Sequence, residues 1–199
     1  LMTLTKTSIL TAISTVIRVI TSFAINKVLA VYVGPSGLAM VGQLQDFISM
    51  IRSFANGAIT DGIVKYTAQY QTVEQKQKIF STSIVVSLIC SLLVSIFIFG
   101  FSEYLSDLIL KDIKYSSVFV IFAITIFLFA LNSILLAILN GQKEIKKYVF
   151  VNIVSSLFSL FFTSFLIIKL SLIGALYAMV INQSIVFFVT LIFVIKSNW

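Results

Sequence analysis

Two arginines, Arg18 and Arg52, lie inside long apolar runs, and their chemistry sets them apart from every other residue of the chain. A guanidinium is planar and permanently charged, and its fork of donors matches phosphate oxygens. It is also expensive in a membrane: an Arg at a helix centre costs about 2.5–3.5 kcal/mol on an insertion scale. Between Ser8 and Val31 stand a dozen Leu, Ile, Val and Phe, which at roughly −0.3 to −0.6 kcal/mol each outweigh the single Arg. Between Leu38 and Val64 there are ten. They supply about −3 to −6 kcal/mol against about +5 to +7 for Arg52 with Asp46. Gln43, Gln45, Asn56 and Asp61 deepen the deficit. This second run must face something wet or polar.

Helical periodicity shows which face. At 100° per residue, Ser8, Thr11, Thr15, Arg18, Ser22 and Asn26 fall within an arc of about 80°. In the second run Gln45, Ser49, Arg52 and Asn56 fall within about 60°, with Asp46, Ser53 and Thr60 extending the stripe. Asn152, Ser156, Ser159 and Thr163 repeat the pattern more weakly, and Ser and Thr so placed serve more often in helix packing than as ligands. At a rise of 1.5 Å per residue, Arg18 lies about 15 Å from Ser8 and Arg52 about 21 Å from Leu38. Two antiparallel helices would thus hold both cations near the bilayer midplane. Asp46 is the acid available to them. It sits six residues from Arg52, about 120° around the helix, a poor intrahelical pair, although it could reach Arg18 across the helix gap. One acid cannot neutralise two arginines. The residual charge points to an anionic ligand, because intramembrane ionisable groups face cavities and mark substrate paths. The structural alternative is that each Arg serves an acid or backbone carbonyls. The site residues expected from the pattern are Arg18, Arg52, Asn26, Gln45, Asn56 and Asp46.

The elements that position them follow from composition. Of 199 residues 59% are hydrophobic and 11% charged, with 19 Phe and one Pro, against about 45–50% apolar and 25% charged in soluble domains. So little polar surface excludes a soluble globule and leaves an all-α polytopic membrane protein. There is no His and one Cys, Cys90, among apolar neighbours. Imidazole or thiolate metal sites, Ser-His-Asp and Cys-His catalysis, and disulfide frameworks lack their parts. No metal, cofactor or enzyme activity is expected. The net charge of +7 is spread thinly at the flanks of apolar segments, which suits anionic headgroups rather than nucleic acid.

Six stretches reach the roughly 20 residues a helix needs to cross a bilayer: about 8–31, 38–64, 79–101, 116–140, 148–168 and 171–195. Polar breaks separate them at 32–37, 69–78, 102–115 and 141–147, with a hinge near Ser171. The chain is therefore one helical membrane unit over 1–199. The third and fourth crossings show no polar stripe and are expected to face lipid and neighbouring helices. The first run is too long and internally too polar for a cleaved signal peptide. Lys6, Lys65, Lys76, Lys78, Lys143, Lys146, Lys147 and Lys196 then fall on one side, and Lys27, Lys111, Lys114 and Lys169 on the other. Eight against four places both termini in the cytoplasm.

Gly34-Pro35-Ser36-Gly37-Leu38, the block from Gly57 to Tyr70, Asn140-Gly141-Gln142-Lys143 and Gly174-Ala175-Leu176 together resemble the Wzx family. Its members are O-antigen and enterobacterial-common-antigen flippases of the MATE-like exporter superfamily. The 57–70 block is the most specific of these motifs, and the resemblance spans essentially the whole chain. It implies two six-helix lobes forming a V around a cavity that opens alternately to each side of the bacterial inner membrane. Family members have about twice as many crossings, so the resemblance implies that 1–199 is the N-terminal lobe and that a C-terminal lobe is its partner. The implied substrate is an undecaprenyl-pyrophosphate-linked oligosaccharide, turned from the cytoplasmic to the periplasmic leaflet. Membrane lipids and the polysaccharide polymerase machinery are the further partners implied. Two other readings stay open: a cation-coupled MATE-type small-molecule exporter, which needs membrane-embedded acids, and a non-transporting assembly subunit, whose polar stripes would be buried against a partner.

Overall fold

The computed structural model describes residues 4–57, 59–70 and 72–195. Lys196, counted above with the basic loops, and Ala58, in the 57–70 block, lie outside the described residues. Within them the fold is all-α: α1 (Leu4–Tyr32), α2 (Gly34–Ala55), α3 (Thr60–Gln69), α4 (Val73–Gly100), α5 (Ser102–Leu110), α6 (Ser116–Gly141) and α7 (Ile145–Ile195). Four of these, α1, α4, α7 and α6 with the short 3-10 turn Ile113–Tyr115 before it, are long and apolar enough to cross a membrane. The protein is a multi-pass membrane protein.

Several boundaries differ from those read in the sequence, each for a local reason. The expected break at 32–37 shrinks to Val33, because Gly34 takes the left-handed turn (φ 77°) and Pro35 sits in the first turn of α2, where its missing N–H costs nothing. The stretch 38–64 is two helices rather than one. α2 stops at Ala55, Gly57 adopts φ 61°, and α3 restarts at Thr60. The break at 69–78 also shrinks, since the Thr72 hydroxyl accepts the Gln75 N–H and caps α4. Residues 102–115 hold α5 and the 3-10 turn, which Asp112 closes by accepting the Lys114 N–H at 3.0 Å and pairing with its ammonium at 2.6 Å. That pairing holds the Asp112 carboxyl below the usual carboxylate range.

α7 is a helical hairpin. Ser171 leaves helical geometry (φ 50°, ψ −127°), and the two limbs, 145–170 and 172–195, run back along one another. Phe150 meets Phe193 at 5.1 Å between ring centroids, and Asn182 donates to Ser159. Gly174 closes the turn so tightly that a Cβ there would overlap the Leu166 carbonyl.

Contacts between helix ends sort the junctions to two sides of the bundle. The Lys76 ammonium donates to Gln142 at 3.0 Å, so the α3–α4 and α6–α7 junctions share one end. A Cβ on Gly37 would lie 3.4 Å from Leu172, which puts the α1–α2 junction beside the α7 turn at the other. The motif glycines are joints. A Cβ on Gly141 would meet Thr67 at 2.7 Å and the Val64 carbonyl at 3.0 Å, so its bare backbone lets α3 lie against the end of α6. Gly57 packs against Val86 and Cys90 of α4 in the same manner.

The core runs along α6, where Phe119, Phe122, Ala123 and Ile126 are buried beside Leu44, Ile48 and Leu176. Of the two surroundings expected for the fourth crossing, lipid and neighbouring helices, the neighbours dominate: half of its most apolar stretch is buried. α4 does expose Leu92, Leu93 and Ile96, yet its inner face carries a stripe that sequence reading missed: Ser83, Ser87, Ser91 and Ser95, every fourth residue. Three of the four are buried. Ser87 donates to the Ala55 carbonyl at 3.5 Å and Ser95 to the Ala123 carbonyl at 2.6 Å. Small hydroxyl residues at this spacing let helices approach closely.

Candidate functional site

The two polar stripes converge on one cavity of about 400 Å³. α1 contributes Arg18, Ser22 and Asn26, and α2 contributes Gln45, Ser49 and Arg52. The α7 hairpin closes the back with Ser159 and Thr163 from its first limb and Asn182 from its second. Arg18, Asn26, Gln45 and Ser49 are exposed, whereas Arg52 is half-buried.

Arg52 lies in the last turn of α2 rather than mid-helix, a consequence of the break at Asn56-Gly57. Counted from the α1–α2 junction, Arg18 is about 21 Å and Arg52 about 27 Å along their helices, so the two cations are offset by roughly one turn and not level. The position of Arg52 lowers its cost in two ways. A cation in the last turn meets the partial negative charge of the helix C-terminus. Its guanidinium also lies 4.4 Å from the ring centroid of Phe129 on α6, an attraction of about 0.5–2 kcal/mol.

Asp46 does not join them. It is exposed on α2 away from the cavity lining, and among the described residues the ion pairs are Lys114–Asp112 and Lys147–Glu144. The possible Asp46–Arg18 contact across the helix gap is therefore not made. Asn56 is also displaced: it caps the C-terminus of α2, its N–H bonded to the Arg52 carbonyl at 3.0 Å, outside the lining. Arg18, Arg52, Asn26 and Gln45 are thus brought together, and Asp46 and Asn56 are not.

Asn182 is the residue that sequence reading missed. Its polar neighbours on the second limb do not form a stripe, and only the hairpin carries it to the cavity. Its amide donates to Ser159 while its carbonyl oxygen is buried without a partner, as is Nε of Arg52. A buried polar atom left unpaired costs about 1–3 kcal/mol, and the wall carries one such donor and one such acceptor. The arrangement can hold an anion with hydroxyl or amide groups beside it. It contains no nucleophile–base pair, and among the described residues no cluster of His, Cys, Asp or Glu could hold a metal.

Fold and site together define a polytopic α-helical membrane protein with a cationic, partly polar cavity between its helices. The chain belongs to the polysaccharide biosynthesis protein family, whose model matches residues 4–196. It is 27% identical over 144 residues to the lipid III flippase of Escherichia coli (strain K12), a match covering 72% of this chain and 35% of that protein. The lipid III flippase of Shigella flexneri matches to the same extent. The chain thus spans about a third of the length of the curated relatives it matches. No solved structure matches significantly.

Proposed function

We propose that this chain is the N-terminal lobe of a Wzx-type flippase that moves an undecaprenyl-pyrophosphate-linked oligosaccharide across the bacterial inner membrane for O-antigen or related surface polysaccharide assembly. The observation that carries this is the meeting of Arg18 and Arg52, from separate helices, in one cavity that no carboxylate lines among the described residues. A pyrophosphate cannot cross hydrocarbon unaided, while its polyprenyl tail is at home there. A flippase therefore needs a polar groove for the headgroup and a lateral opening for the tail. The arginines hold phosphate oxygens through charge-assisted bonds; Asn26, Gln45 and Asn182 offer partners to sugar hydroxyls. Rocking one lobe against the other around the site exposes it to each side in turn. No bond is made or broken.

A cation-coupled exporter is disfavoured by the placement of Asp46 outside the cavity lining. A non-transporting subunit is separated by accessibility. In a Cys90→Ala background, Ser22→Cys and Ser49→Cys should react with a membrane-impermeant thiol reagent, and Ser87→Cys should not. Unlabelled cysteines at 22 and 49 would favour stripes buried against a partner protein.

The same reading has six crossings with both ends cytoplasmic, α2 serving as the second and the limbs of α7 as the fifth and sixth. Reporter fusions at Lys76 and Lys146 should be cytoplasmic and a fusion at Asp107 periplasmic. The reverse pattern would overturn the orientation.

A further inference from the structure

We infer that the groove between α3 and the first half of α4 is a second binding site, for an anionic phospholipid whose phosphate sits at Lys78 and whose acyl chain lies along α4. The inference is independent of the arginine cavity and of flipping. α3 has 10 residues, about 15 Å, which is half the roughly 30 Å hydrocarbon core. It cannot cross. It buries Ile63 and Thr67 and exposes Asp61, Lys65 and Tyr66, and it runs beside α4 from the level of Val86 and Cys90, against which Gly57 packs, towards the end at Gln75.

The groove it forms with α4 is larger than the arginine cavity, about 690 Å³, and within the roughly 300–1,000 Å³ of small-molecule sites. Its charge lies at one end. Gln75 and Lys78 stand there, and Ile79, Thr82, Ser83 and Val86 follow along α4, the last about 16 Å from Gln75. Ile59 and Ile63 face them from α3.

Tyr66 and Tyr70, with ring centroids 5.9 Å apart, line the same space, and the Lys65 ammonium lies 5.9 Å from the Tyr66 ring centroid. Tyr and Lys in this combination mark the headgroup level of a bilayer. No Asp or Glu lines the groove among the described residues; Asp61 and Glu74, the acids nearest in sequence, are exposed outside it. A cation at the polar end of an apolar trough fits an anionic amphiphile. A lipid with a neutral headgroup would leave Lys78 without a counter-charge. A protein helix seated there would have to bury Lys78 and Gln75 or supply an acid of its own.

The test is retention of phosphatidylglycerol against phosphatidylcholine by the purified chain, read as bound-lipid adducts in native mass spectrometry, with helicity followed by circular dichroism. The unaltered chain should retain phosphatidylglycerol preferentially. Lys78→Gln should lower that retention about fivefold, the worth of one basic residue at an anionic surface. Lys169→Gln, at the opposite end of the bundle, should leave it unchanged. Val86→Trp, which fills the trough, should lower retention of both lipids. Equal retention of the two lipids by the unaltered chain overturns the site, as does a Lys78→Gln variant indistinguishable from Lys169→Gln. Retention insensitive to Val86→Trp, the result if a protein segment fills the groove, overturns it as well.

Discussion

Replacing both Arg18 and Arg52 with Ala, in the protein expressed from its native reading frame, is expected to lower flipping of labelled lipid-linked oligosaccharide at least tenfold per unit of membrane protein. Each Ala removes a hydrogen-bonding cation worth about 1.5–3 kcal/mol to an anionic partner, and 1.4 kcal/mol is a factor of ten. Lys in place of either Arg keeps the charge but loses the planar fork, so activity should fall only partially. Membrane abundance of the Ala variants should hold. Neither Arg pairs with an acid among the described residues, so Ala strands no carboxylate, and it relieves the cost of keeping a cation in the membrane. A structural role would give the opposite order: abundance would fall with Arg→Ala and be partly restored by Asp46→Asn.

Gly174→Ala should produce the largest loss of stability of any single methyl group added to this chain. Its Cβ would lie 2.6 Å from the Leu166 carbonyl carbon and closer still to the oxygen. Backbone cannot swing aside as a side chain can, so the turn at Ser171 must open. Overpacking of this kind costs about 1–3 kcal/mol and sometimes more. Membrane abundance should drop severalfold, and the midpoint of thermal unfolding in detergent should fall by several degrees. Gly42→Ala is the control. Nothing lies within 4 Å of a Cβ there, and in the interior of α2 the change should be neutral or stabilising by about 0.5–1 kcal/mol. Equal behaviour of the two variants would contradict the hairpin.

Much of the cavity is legible in the sequence because polar residues against an apolar background give a clear 100° signal. Arg18, Ser22 and Asn26 on one helix and Gln45, Ser49 and Arg52 on the next are found that way. What is not legible follows from the same physics. α6 is apolar all round, and a helix buried in protein has the same composition as one bathed in lipid; its central place could not be read from the pattern. The serines of α4 are too short and too weakly polar to stand out, although their period of four is regular. The break at Asn56-Gly57 is masked by Ile59, Ile63 and Val64, which extend the apolar run beyond the true end of α2. That single error placed Arg52 mid-helix and Asn56 in the site. Asn182 escaped because it needs the hairpin to bring it home. The glycines of the motifs were visible, but their meaning as joints depends on the backbones they meet.

The most direct measurement is equilibrium binding of a pyrophosphate-linked lipid oligosaccharide to the intact protein in nanodiscs of neutral lipid, where the groove at Lys78 has no anionic phospholipid to hold. If Arg18 and Arg52 receive the headgroup, Kd for the Arg18→Ala/Arg52→Ala variant should rise at least tenfold over the unaltered protein, with the corresponding Lys variant in between. An unchanged Kd in the double Ala variant, with the protein folded and present at equal amount, would contradict a headgroup site built on these two arginines.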